Sequence, residues 1–400
     1  MHVIGGSYLE VCREPMWDEL YGSGLRGAAA LSALDTGVHL TTWIGELERL
    51  TLDAYAQQYG IAVDARQAPA TLRFSYVHGL SRPWIDPSLH LLRPAEQVTL
   101  TAPTILRYGT LESDAVVHGE TVVYDPQSTY DPRPFAENGS SAHRLAIVCN
   151  QREGAAMTGL RDIEEIGAAL LADHGAEAVL IKRGALGVAV FQRGRADRVP
   201  AYQMDFVFPI GSGDVFSAAF AHRWATEGAD PVAAADYASR SAAWYCGSQL
   251  LPIPADVTER VHAPLVVTTG SRQPRRVYLA GPFFTTAERW LVTEARDGLL
   301  QQGVEVFSPF HDVGIGPANE VVPKDIEALQ SCDAVLAILD GFDAGTSFEV
   351  GYARSLDIPV VAFVQNEPEE PLKMLAGTDC RITRDFVSAV YQAAWAALQR

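Results

Sequence analysis

The stretch "AVLAILDGFDAGTSFEVGYARS", residues 334–355, decides the fold class because it joins a buried strand directly to a helix. Residues 334–338 form an uninterrupted apolar run, which is typical of a strand covered on both faces in a parallel sheet. The pattern then predicts a helix over 346–356, with Glu349 in its first turn and a second acid, Asp343, six residues earlier. Parallel sheets bind ligands at the carboxyl ends of their strands. The junction is therefore a candidate functional site.

Residues 276–400 continue this alternation of strands and helices. The apolar patterns predict strands at 276–281, 304–309, 334–339 and 358–364. They predict helices at 286–302, 322–331, 346–356 and 385–398. Alternating strands and helices favour a doubly wound parallel sheet of the flavodoxin or Rossmann type. We therefore expect a compact α/β domain of ordinary size over 276–400.

Residues 1–262 are predicted to form a larger α/β domain with a mostly parallel sheet covered by helices. Its predicted strands include 39–45, 145–150, 177–184 and 186–192, and its helices include 161–173, 213–227 and 231–246. The segment "TLRFSYVHG", residues 71–79, alternates and is expected to form a small sheet or lid. Residues 263–275, which include two prolines and a Gly-Ser pair, are expected to link the two domains.

The composition indicates a large core and an acidic surface, since 48% of the residues are hydrophobic and the formal net charge is −18. An acidic surface disfavours binding to nucleic acid, which needs basic side chains to neutralise phosphates. We expect no membrane span and no secretory leader, because neither apolar pattern is present. Five scattered cysteines without a CxxC pair indicate free thiols in a reducing compartment. The expected protein is cytoplasmic and acts on small molecules.

Several acids fall near the carboxyl ends of the strands predicted within 276–400. Asp343 and Glu349 follow the third strand, and Asp325 precedes it in another predicted helix. Together they could supply several carboxylates to one crevice. Aspartate is also a favoured helix cap, so a purely structural role is open for Asp325 and Asp343. Capping does not account for Glu349.

Residues 276–400 resemble the nucleoside 2-deoxyribosyltransferases. The resemblance is carried by "YLAGPFF" (278–284), "KDIEALQSCDAV" (324–335) and "DAGTSFEVGYA" (343–353). It implies that Glu349 is a nucleophile that attacks the anomeric carbon, expels the nucleobase and forms a glycosyl-enzyme, without a cofactor. It implies that Asp325 and Asp343 handle the base and its proton. The implied substrate-binding residues are Tyr278, Gly281 and Asp333. A carboxylate nucleophile suits displacement at an anomeric carbon with retained configuration.

One position departs from that family, which often places an asparagine after a proline near the C-terminus. That asparagine reaches into a neighbouring subunit's site and binds the sugar. The matching segment here is "EPLKML", residues 370–375, in which Lys373 stands near that place. Lys373 could contact a phosphate of the substrate or be a solvated surface charge. Sugar transfer and hydrolysis of a nucleotide are therefore both open, and the resemblance implies a homo-oligomer built mainly through 276–400.

In the first domain, the stretch "FPIGSGDVFSAAFAHRW", residues 208–224, joins a glycine turn to a helix. The backbone N–H groups of Gly211, Ser212 and Gly213 and the helix dipole suit an anion such as phosphate. Asp214, in the first turn, could take a proton from a hydroxyl that attacks this phosphate. A glycine turn capped by an aspartate is also a common structural feature, so that alternative stays open.

Residues 1–262 resemble the PfkB/ribokinase family of sugar and nucleoside kinases. The resemblance rests on the stretch above and on "GGSYLE" (5–10), "YGSGLRGAAALSAL" (21–34), "CNQRE" (149–153) and "IKRGALG" (181–187). It implies ATP and Mg²⁺ as cofactors, with Asn150 and Glu153 supporting Mg²⁺ and phosphate binding and Glu153 contacting the metal indirectly. The implied nucleotide-binding residues are Gly184 and Gly187 together with Gly211, Ser212 and Gly213. Residues 5–10 are matched to the family's first strand, which puts Glu10 at the substrate site.

The acceptor side of the kinase-like site departs from the family. Arg26 stands where the family usually has a substrate-binding asparagine, and Tyr21 replaces a glycine. Because the phosphoryl-transfer residues match, one interpretation is an active kinase with an unusual acceptor. The other is a degenerate kinase kept as a ligand-binding or scaffolding module. We expect a two-domain enzyme of nucleoside or nucleotide metabolism that phosphorylates a sugar or nucleoside hydroxyl in 1–262 and cleaves or transfers an N-glycosidic bond in 276–400.

Overall fold

The computed structural model describes residues 1–128, 131–268 and 274–400. The chain divides into two compact units. The first unit comprises Met1–Arg183, Gly187–Met204 and Phe208–Pro264, and the second comprises Gly184–Leu186, Asp205–Val207 and Leu265–Arg400. The predicted linker, 263–275, includes the boundary between the units, and its residues 269–273 lie outside the described part of the chain.

The first unit combines a large sheet, a small sheet and their covering helices. Its strands are β1 (His2–Ile4), β2 (Leu9–Glu14), β3 (Trp17–Leu20), β4 (His39–Ile44), β5 (Ala62–Gln67), β6 (Arg73–His78), β7 (Trp84–Asp86), β8 (Val98–Tyr108), β9 (Ala115–Asp125), β10 (Ser141–Asn150), β11 (Ala178–Lys182), β12 (Val188–Gln192) and β13 (Arg195–Val199). Its helices are α1 (Gly22–Leu31), α2 (Arg49–Tyr59), α3 (Gln151–Thr158), α4 (Ile163–His174), α5 (Ser212–Ala221), α6 (Pro231–Ser248) and α7 (Val257–Arg260). A π-helical turn, His222–Thr226, continues α5.

The large sheet has nine strands in the order β13-β12-β11-β10-β9-β8-β1-β4-β5. Neighbouring strands are parallel from β11 to β5, and only β12 and β13 join in antiparallel fashion. A separate four-stranded sheet has the order β3-β2-β6-β7 and contains most of the segment predicted as a lid. The predicted fold class, a ribokinase-like α/β domain with a small lid, is confirmed.

Helix α5 lies in the core of the first unit because its sequence is largely apolar on all sides. All its residues from Asp214 to Ala221 are buried, and it packs against both α1 and α6. Helix α1 approaches the end of β1 closely, since a Cβ at Gly24 would lie 2.4 Å from the carbonyl oxygen of Gly5. This packing brings the first turns of α1 and α5 to the edge where the parallel strands end.

The second unit is a smaller doubly wound domain. Its strands are β14 (Arg276–Ala280), β15 (Glu305–Phe307), β16 (Ala334–Ile338), β17 (Val360–Phe363) and β18 (Arg381–Thr383). Its helices are α8 (Thr286–Gln301), α9 (Ala318–Gln330), α10 (Ala344–Ser355), α11 (Glu369–Gly377) and α12 (Phe386–Gln399), with a π-helical turn at Pro309–Val313.

The five strands of the second unit are all parallel, in the order β15-β14-β16-β17-β18. The chain leaves β14 for β15 on one side and returns to β16 on the other. The order therefore reverses between β14 and β16, and α/β sheets bind ligands at such a reversal point. Helices α8 and α12 pack together, as do α9 and α10. The predicted flavodoxin- or Rossmann-like sheet is confirmed.

Three predicted positions need correction. The first strand is His2–Ile4 rather than 5–10, because Gly6 instead accepts a hydrogen bond from the backbone of α1. Glu10 consequently lies on β2 of the small sheet. Helix α9 begins at Ala318, so Asp325 lies in its middle. Helix α10 begins at Ala344, so Glu349 lies in its second turn rather than its first.

Candidate active sites

Tyr278 and Glu349 meet across the reversal point of the second unit. Tyr278 is buried on β14, and Glu349 projects from α10, the helix that follows the neighbouring strand β16. The Tyr278 hydroxyl donates a hydrogen bond to Glu349 Oε1 at 2.6 Å. Burial and the adjacent carboxylate raise the pKa of Tyr278, so the hydroxyl keeps its proton and acts as the donor. The contact fixes one carboxylate oxygen of Glu349.

Near neutral pH, Glu349 is present in both its protonated and its ionised form. Burial raises its pKa to about 7, and the carboxylates of Asp325 and Asp343 act in the same direction, while the Tyr278 hydrogen bond opposes this shift. The charges of Asp325 and Asp343 therefore both act on Glu349. We call Tyr278, Asp325, Asp343 and Glu349 the Glu349 cluster.

Asp325 differs from an ordinary surface aspartate. It lies in the middle of α9, so the helix-cap alternative does not apply to it. Its Oδ1 atom is buried and has no hydrogen-bond partner among the described residues. Burial raises its pKa. A carboxyl group in this state is suited to holding a proton and donating it to a ligand.

Asp343 does cap a helix. Its Oδ2 atom accepts hydrogen bonds from the Thr346 backbone N–H at 2.9 Å and from the Thr346 hydroxyl at 3.1 Å. The two preceding residues, Gly341 and Phe342, have φ angles of 82° and 46° and form the sharp turn from β16 into α10. The cap fixes where α10 begins and therefore where Glu349 points.

The remaining predicted residues of the second unit lie in different places. Gly281 follows β14, and a Cβ there would lie 3.1 Å from the Cβ of Ile338. Lys373 is exposed on α11, and its ammonium group pairs with Glu370 at 2.5 Å. Neither position contacts Glu349 in the described structure, so their substrate roles stay predictions.

Asp333 requires a correction. It lies before β16, at the amino end of the strand, whereas the Glu349 cluster lies at the carboxyl end. Its carboxylate accepts hydrogen bonds from the Arg275 guanidinium at 2.9 Å and from the Arg276 backbone N–H at 2.8 Å. These bonds tie the starts of β14 and β16 together. Asp333 is therefore a structural residue of the sheet rather than a substrate contact.

In the first unit, a cavity of about 380 Å³ collects most of the residues predicted for the kinase-like site. We call it the Asp214 cavity. Its predicted lining residues are Glu10, Arg26, Asn150, Glu153, Gly211, Gly213 and Asp214. Among its lining residues, Asp125, Asn150 and Lys182 each stand at the carboxyl end of a strand of the large sheet. The position agrees with the general location of ligand sites in parallel sheets.

Arg26 organises the acceptor side of the Asp214 cavity. Its Nη1 atom donates to Glu10 Oε1 and to Asp214 Oδ2, each at 2.9 Å, and its Nη2 atom donates to Glu10 Oε2. Its Nε atom donates to the Tyr245 hydroxyl at 3.1 Å, and the guanidinium lies over the ring of Tyr21. The buried arginine is therefore neutralised by two buried carboxylates. The two departures from the family, Arg26 and Tyr21, are in contact with each other.

Asp214 is held from both sides. Arg26 binds Oδ2, and the Gln127 side-chain amide donates to Oδ1 at 3.0 Å. Burial raises the pKa of Asp214 to about 6, although the Arg26 charge opposes the shift. The Tyr108 hydroxyl also donates to the Asp214 carbonyl oxygen at 2.6 Å. Asp214 is thus a rigid carboxylate with a proton affinity close to that of a neutral-pH base.

Glycine is required at position 211 for two reasons. Gly211 has a φ angle of 80°, which disfavours other residues, and a Cβ there would lie 2.2 Å from the Arg26 guanidinium carbon. At Gly213 a Cβ would lie 3.3 Å from the Lys182 ammonium nitrogen. Three predicted residues, Ser212, Gly184 and Gly187, are not among the described residues that line this cavity. Gly187 serves a turn, with a φ angle of 73°.

Asn150 and Glu153 form a reciprocal cap at the start of α3. The Glu153 N–H donates to Asn150 Oδ1 at 2.9 Å, and the Asn150 N–H donates to Glu153 Oε2 at 2.8 Å. Burial, together with the Asp125 carboxylate, raises the pKa of Glu153 to about 7. The sequence pattern N-x-x-E therefore has a local structural role, and it also places a buried acid on the cavity wall.

Sequence reasoning missed the pair of Lys182 and Asp125. The Lys182 ammonium donates to Asp125 Oδ2 at 2.8 Å, and the Ser217 hydroxyl donates to the same oxygen at 2.6 Å. Burial opposes the charge of Lys182, but Asp125 and Glu153 raise its pKa overall, so the ammonium group stays charged. One available signal was an acid directly after the apolar run of β9. The pairing itself joins residues far apart in the chain.

Two family models match the chain. Residues 277–377 match the model described as nucleoside 2-deoxyribosyltransferase. Residues 119–256 match the model described as pfkB family carbohydrate kinase. The two resemblances predicted from the sequence are therefore confirmed.

A curated relative is similar to part of the chain. It is the ATP-dependent ribose-1-phosphate kinase of Halopiger xanaduensis, which is 30% identical over 159 residues. The match covers 40% of this chain and 51% of the relative, so the chain spans about half the length of the curated relative that it matches.

Two solved structures of ribokinase-family proteins match part of the chain. The ribokinase of Thermotoga maritima has a TM-score of 0.48 and 17% identity, covering 64% of this chain and 97% of that protein. A pyrophosphate-dependent kinase of the ribokinase family, solved with a pyrophosphate analogue and myo-inositol, has a TM-score of 0.47 and 15% identity. That match covers 65% of this chain and 100% of the other.

The described residues contain neither a membrane-spanning helix nor a cluster of metal-ligating side chains. Over 1–128, 131–268 and 274–400, no helix is both long and apolar enough to cross a membrane. Within those ranges, no three or more His, Cys, Asp or Glu side chains are grouped as a metal site.

Proposed function

We propose that the second unit breaks the N-glycosidic bond of a nucleoside or nucleotide, with Glu349 as the nucleophile. The observation that carries the proposal is the 2.6 Å hydrogen bond from Tyr278 to Glu349 at the reversal point of a parallel sheet. The match of residues 277–377 to the deoxyribosyltransferase model supports the same chemistry. The unit would act as a glycosyl transferase, or as a hydrolase when water is the acceptor.

The first step displaces the nucleobase. With Oε1 held by Tyr278, the Oε2 atom of ionised Glu349 attacks the anomeric carbon and forms a carbon–oxygen bond. The carbon–nitrogen bond breaks, and its electron pair stays on the base nitrogen. Protonated Asp325 is the proposed donor of the proton that neutralises this nitrogen, since its raised pKa favours the protonated form.

The second step releases the sugar. Another base, or water, attacks the anomeric carbon from the opposite face and gives its proton to the Asp325 carboxylate, and Glu349 leaves as a carboxylate. Two displacements retain the configuration of the sugar. Asp343 contributes by capping α10 and by its negative charge, which raises the pKa of Glu349. No cofactor is needed for these steps.

We propose that the first unit transfers a phosphoryl group from ATP to a sugar or nucleoside hydroxyl. Asp214 takes the hydroxyl proton, the oxygen bonds to the γ-phosphorus, and the bond from that phosphorus to the bridging oxygen breaks, releasing ADP. The observation that supports this proposal is Asp214 in the first turn of α5, beside the glycine turn that can hold a phosphate. The relative named as a ribose-1-phosphate kinase makes a phosphorylated sugar one candidate acceptor.

Mg²⁺ fits this proposal. Mg²⁺ is usually bound through one or two carboxylates together with substrate phosphates. Asp125 and Glu153 supply two carboxylates, and they are close enough that the charge of Asp125 raises the pKa of Glu153. They would hold the ion, Glu153 indirectly, and the ion would neutralise charge on the donor's phosphates. Lys182 supplies a fixed positive charge beside the glycine turn.

A non-catalytic first unit is the alternative. The Arg26 guanidinium occupies Asp214 Oδ2, so an acceptor must share Asp214 with Arg26. In that case the protein would be a nucleoside 5′-monophosphate N-glycosidase with a ligand-binding first unit.

Incubating the protein with nucleosides and nucleotides, with and without ATP and Mg²⁺, separates the active kinase from this alternative. Chromatography would follow free base, exchanged base and ADP. ADP formation that depends on the added acceptor supports a kinase, and its absence across the panel supports the alternative.

Self-association through the second unit stays a prediction. Phe348, on the same helix as Glu349, is 60% exposed and stacks on Tyr352. An exposed aromatic side chain such as Phe348 is suited to a subunit contact. Light scattering at micromolar concentration tests it, and a fully active monomer would contradict it.

A further inference from the structure

A second cavity of the first unit adjoins the Asp214 cavity. Its volume is about 390 Å³, and it shares Phe74, Leu111 and Gln127 with the Asp214 cavity. Gln127 links the two directly, since its side-chain amide donates to Asp214 Oδ1. A molecule with a hydroxyl at Asp214 can therefore extend past Gln127 into the second cavity. We call this space the arginine cavity.

The arginine cavity is lined by two guanidinium groups. Arg82 lies in the turn between β6 and β7 of the small sheet, and Arg152 lies in the first turn of α3. In the described part of the chain, no carboxylate is among its lining residues. This is unusual for a protein with a net charge of −18. The cavity is a local positive site on an acidic molecule.

Neither guanidinium has a partner among the residues that the structure describes, whereas many other arginines of this unit are paired with acids. Examples of paired arginines are Arg26, Arg49, Arg66, Arg107, Arg144 and Arg198. Two unneutralised arginines that line one cavity from separate elements are suited to an anion supplied by a ligand. A phosphate monoester fits better than a carboxylate, because its two negative charges match two guanidinium groups.

Gln127 stands at the junction of the two cavities in an uncommon backbone conformation. Its φ angle is 54°, in the left-handed region that side chains other than glycine rarely adopt. Its backbone N–H is held by Asp125 Oδ1 at 3.3 Å. Strained residues that are held by their surroundings concentrate at ligand-binding sites. The hydrogen bond to Asp214 Oδ1 keeps the Gln127 amide between the two cavities.

We propose that the arginine cavity binds a phosphate group that the acceptor already carries, through Arg82 and Arg152. The acceptor's hydroxyl then faces Asp214, and Gln127 lies beside the atoms that connect hydroxyl and phosphate. The substrate class of the first unit is accordingly a phosphorylated sugar or a nucleotide rather than a neutral sugar. The role of the bound molecule as a phosphoryl acceptor rests on the proposed function of the first unit. The binding of its phosphate by Arg82 and Arg152 does not.

The test measures binding without catalysis. The full chain carrying Glu349→Gln, which removes the proposed nucleophile of the second unit, is titrated calorimetrically with three matched pairs: ribose and ribose 1-phosphate, ribose and ribose 5-phosphate, and uridine and UMP. Each titration is repeated with Mg²⁺ and a non-hydrolysable ATP analogue. We expect at least one phosphorylated member to bind about tenfold or more tightly than its partner, as charge-assisted hydrogen bonds require. Arg82→Gln and Arg152→Gln should each remove most of that advantage and leave the neutral partner's affinity unchanged.

Arg161→Gln is the matched control, since Arg161 is exposed, outside both cavities and without a partner among the described residues. It should change no affinity. Equal affinity within every pair, or the same loss in Arg161→Gln, would overturn the inference. So would a loss confined to the ATP analogue, which would assign the arginines to the donor.

The inference and the proposed function can fail separately. Arginine-dependent binding without any ADP formation would leave the phosphate site in place and remove the kinase proposal. Conversely, phosphorylation of a neutral sugar with a KM that neither arginine variant changes would keep the kinase and exclude the acceptor phosphate site.

Discussion

The two candidate active sites hold their principal carboxylates in opposite ways. Asp214 is bound by a buried arginine and by the Gln127 amide, and Arg26 also neutralises Glu10. Glu349 is bound by the neutral hydroxyl of Tyr278 and lies near two further acids. Burial raises both pKa values, to about 6 for Asp214 and about 7 for Glu349. In the first unit the Arg26 guanidinium neutralises the charge of Asp214. In the second unit Glu349 has no cationic partner among these contacts and can gain or lose a proton near neutral pH.

The difference matches the proposed reactions. A base that receives a proton while a highly charged phosphate approaches works in a site with fixed cations. A permanent cation partner would weaken a carboxylate that must attack carbon, because it would lower the basicity of that carboxylate. The comparison therefore predicts different consequences for the removal of each group.

The largest effect should follow Glu349→Gln. The amide keeps the size of the side chain but is a poor nucleophile, so base release or exchange should fall by about ten-thousandfold or more, on the scale of other lost nucleophiles. Phosphoryl transfer by the first unit should be unchanged. Intact-mass spectrometry of the wild type, quenched during turnover, should show a sugar adduct on the peptide that contains Glu349. Near wild-type release in the variant would favour direct attack by water instead.

Asp214→Asn should produce the reverse pattern. Removing a general base should lower ATP-dependent phosphorylation by about a hundredfold to ten-thousandfold, while base release from a supplied substrate stays intact. Coupled detection of ADP measures the first activity, and chromatography of free base measures the second. Undiminished ADP formation would remove Asp214 from the role of base. The Glu349 and Asp214 variants serve as controls for each other.

Arg26→Met tests the charge compensation itself. The methionine fills similar space but leaves Glu10 and Asp214 as uncompensated buried carboxylates, so the free energy of unfolding should fall by about 3–5 kcal/mol. Denaturant unfolding followed by circular dichroism measures the loss. Arg49→Met is the matched control, because Arg49 pairs with Asp53 on the surface of α2, and its loss should cost about 1 kcal/mol or less. Equal losses in the two variants would show that the buried network contributes little.

The smallest effect concerns pH. The reactive form pairs the Glu349 carboxylate with protonated Asp325, so kcat/KM for base release should rise with pH through about 7, the pKa of Glu349, and fall at higher pH where Asp325 loses its proton. The Tyr278 hydrogen bond stabilises the carboxylate and lowers this pKa, so Tyr278→Phe should move the midpoint of the profile to higher pH. At pH 6, below both midpoints, a midpoint that is higher by one pH unit should slow base release by about tenfold. A midpoint that stays unchanged would show that Glu349 does not control the profile.

The sequence predicted the parts that depend on local patterns. Apolar runs such as 334–338 identified the buried strands, and the alternation of strands with helices predicted both sheets. The stretch 208–214 placed Asp214 at a helix start next to a glycine turn. Short or irregular elements were missed, including α11, β18 and the π-helical turn Pro309–Val313, because they are too short for a clear period.

Long-range pairing could not be predicted in the same way. The roles of Arg26 and Lys182 depend on carboxylates that are distant in sequence and meet only in the folded unit. Asp333 was misassigned because its spacing matched a family motif, whereas the sheet places it at the opposite end of the strand from Glu349. Sequence spacing does not tell which end of a strand a neighbouring residue reaches until the strand's limits are known.

The turn between β16 and α10 has a consequence for how this protein can vary over evolution. Gly341 and Phe342 make the bend, and Asp343 starts the helix that carries Glu349. Each residue of an α-helix advances by about 100°, so a single insertion or deletion here would rotate the carboxylate away from Tyr278. Substitutions are restricted there as well, since Gly341 has a φ angle of 82° and Asp343 caps α10, but a change in length would shift every later residue of the helix. Loop length at this junction is therefore an inherited constraint, and a useful criterion for recognising descendants that keep the activity after their sequences have diverged.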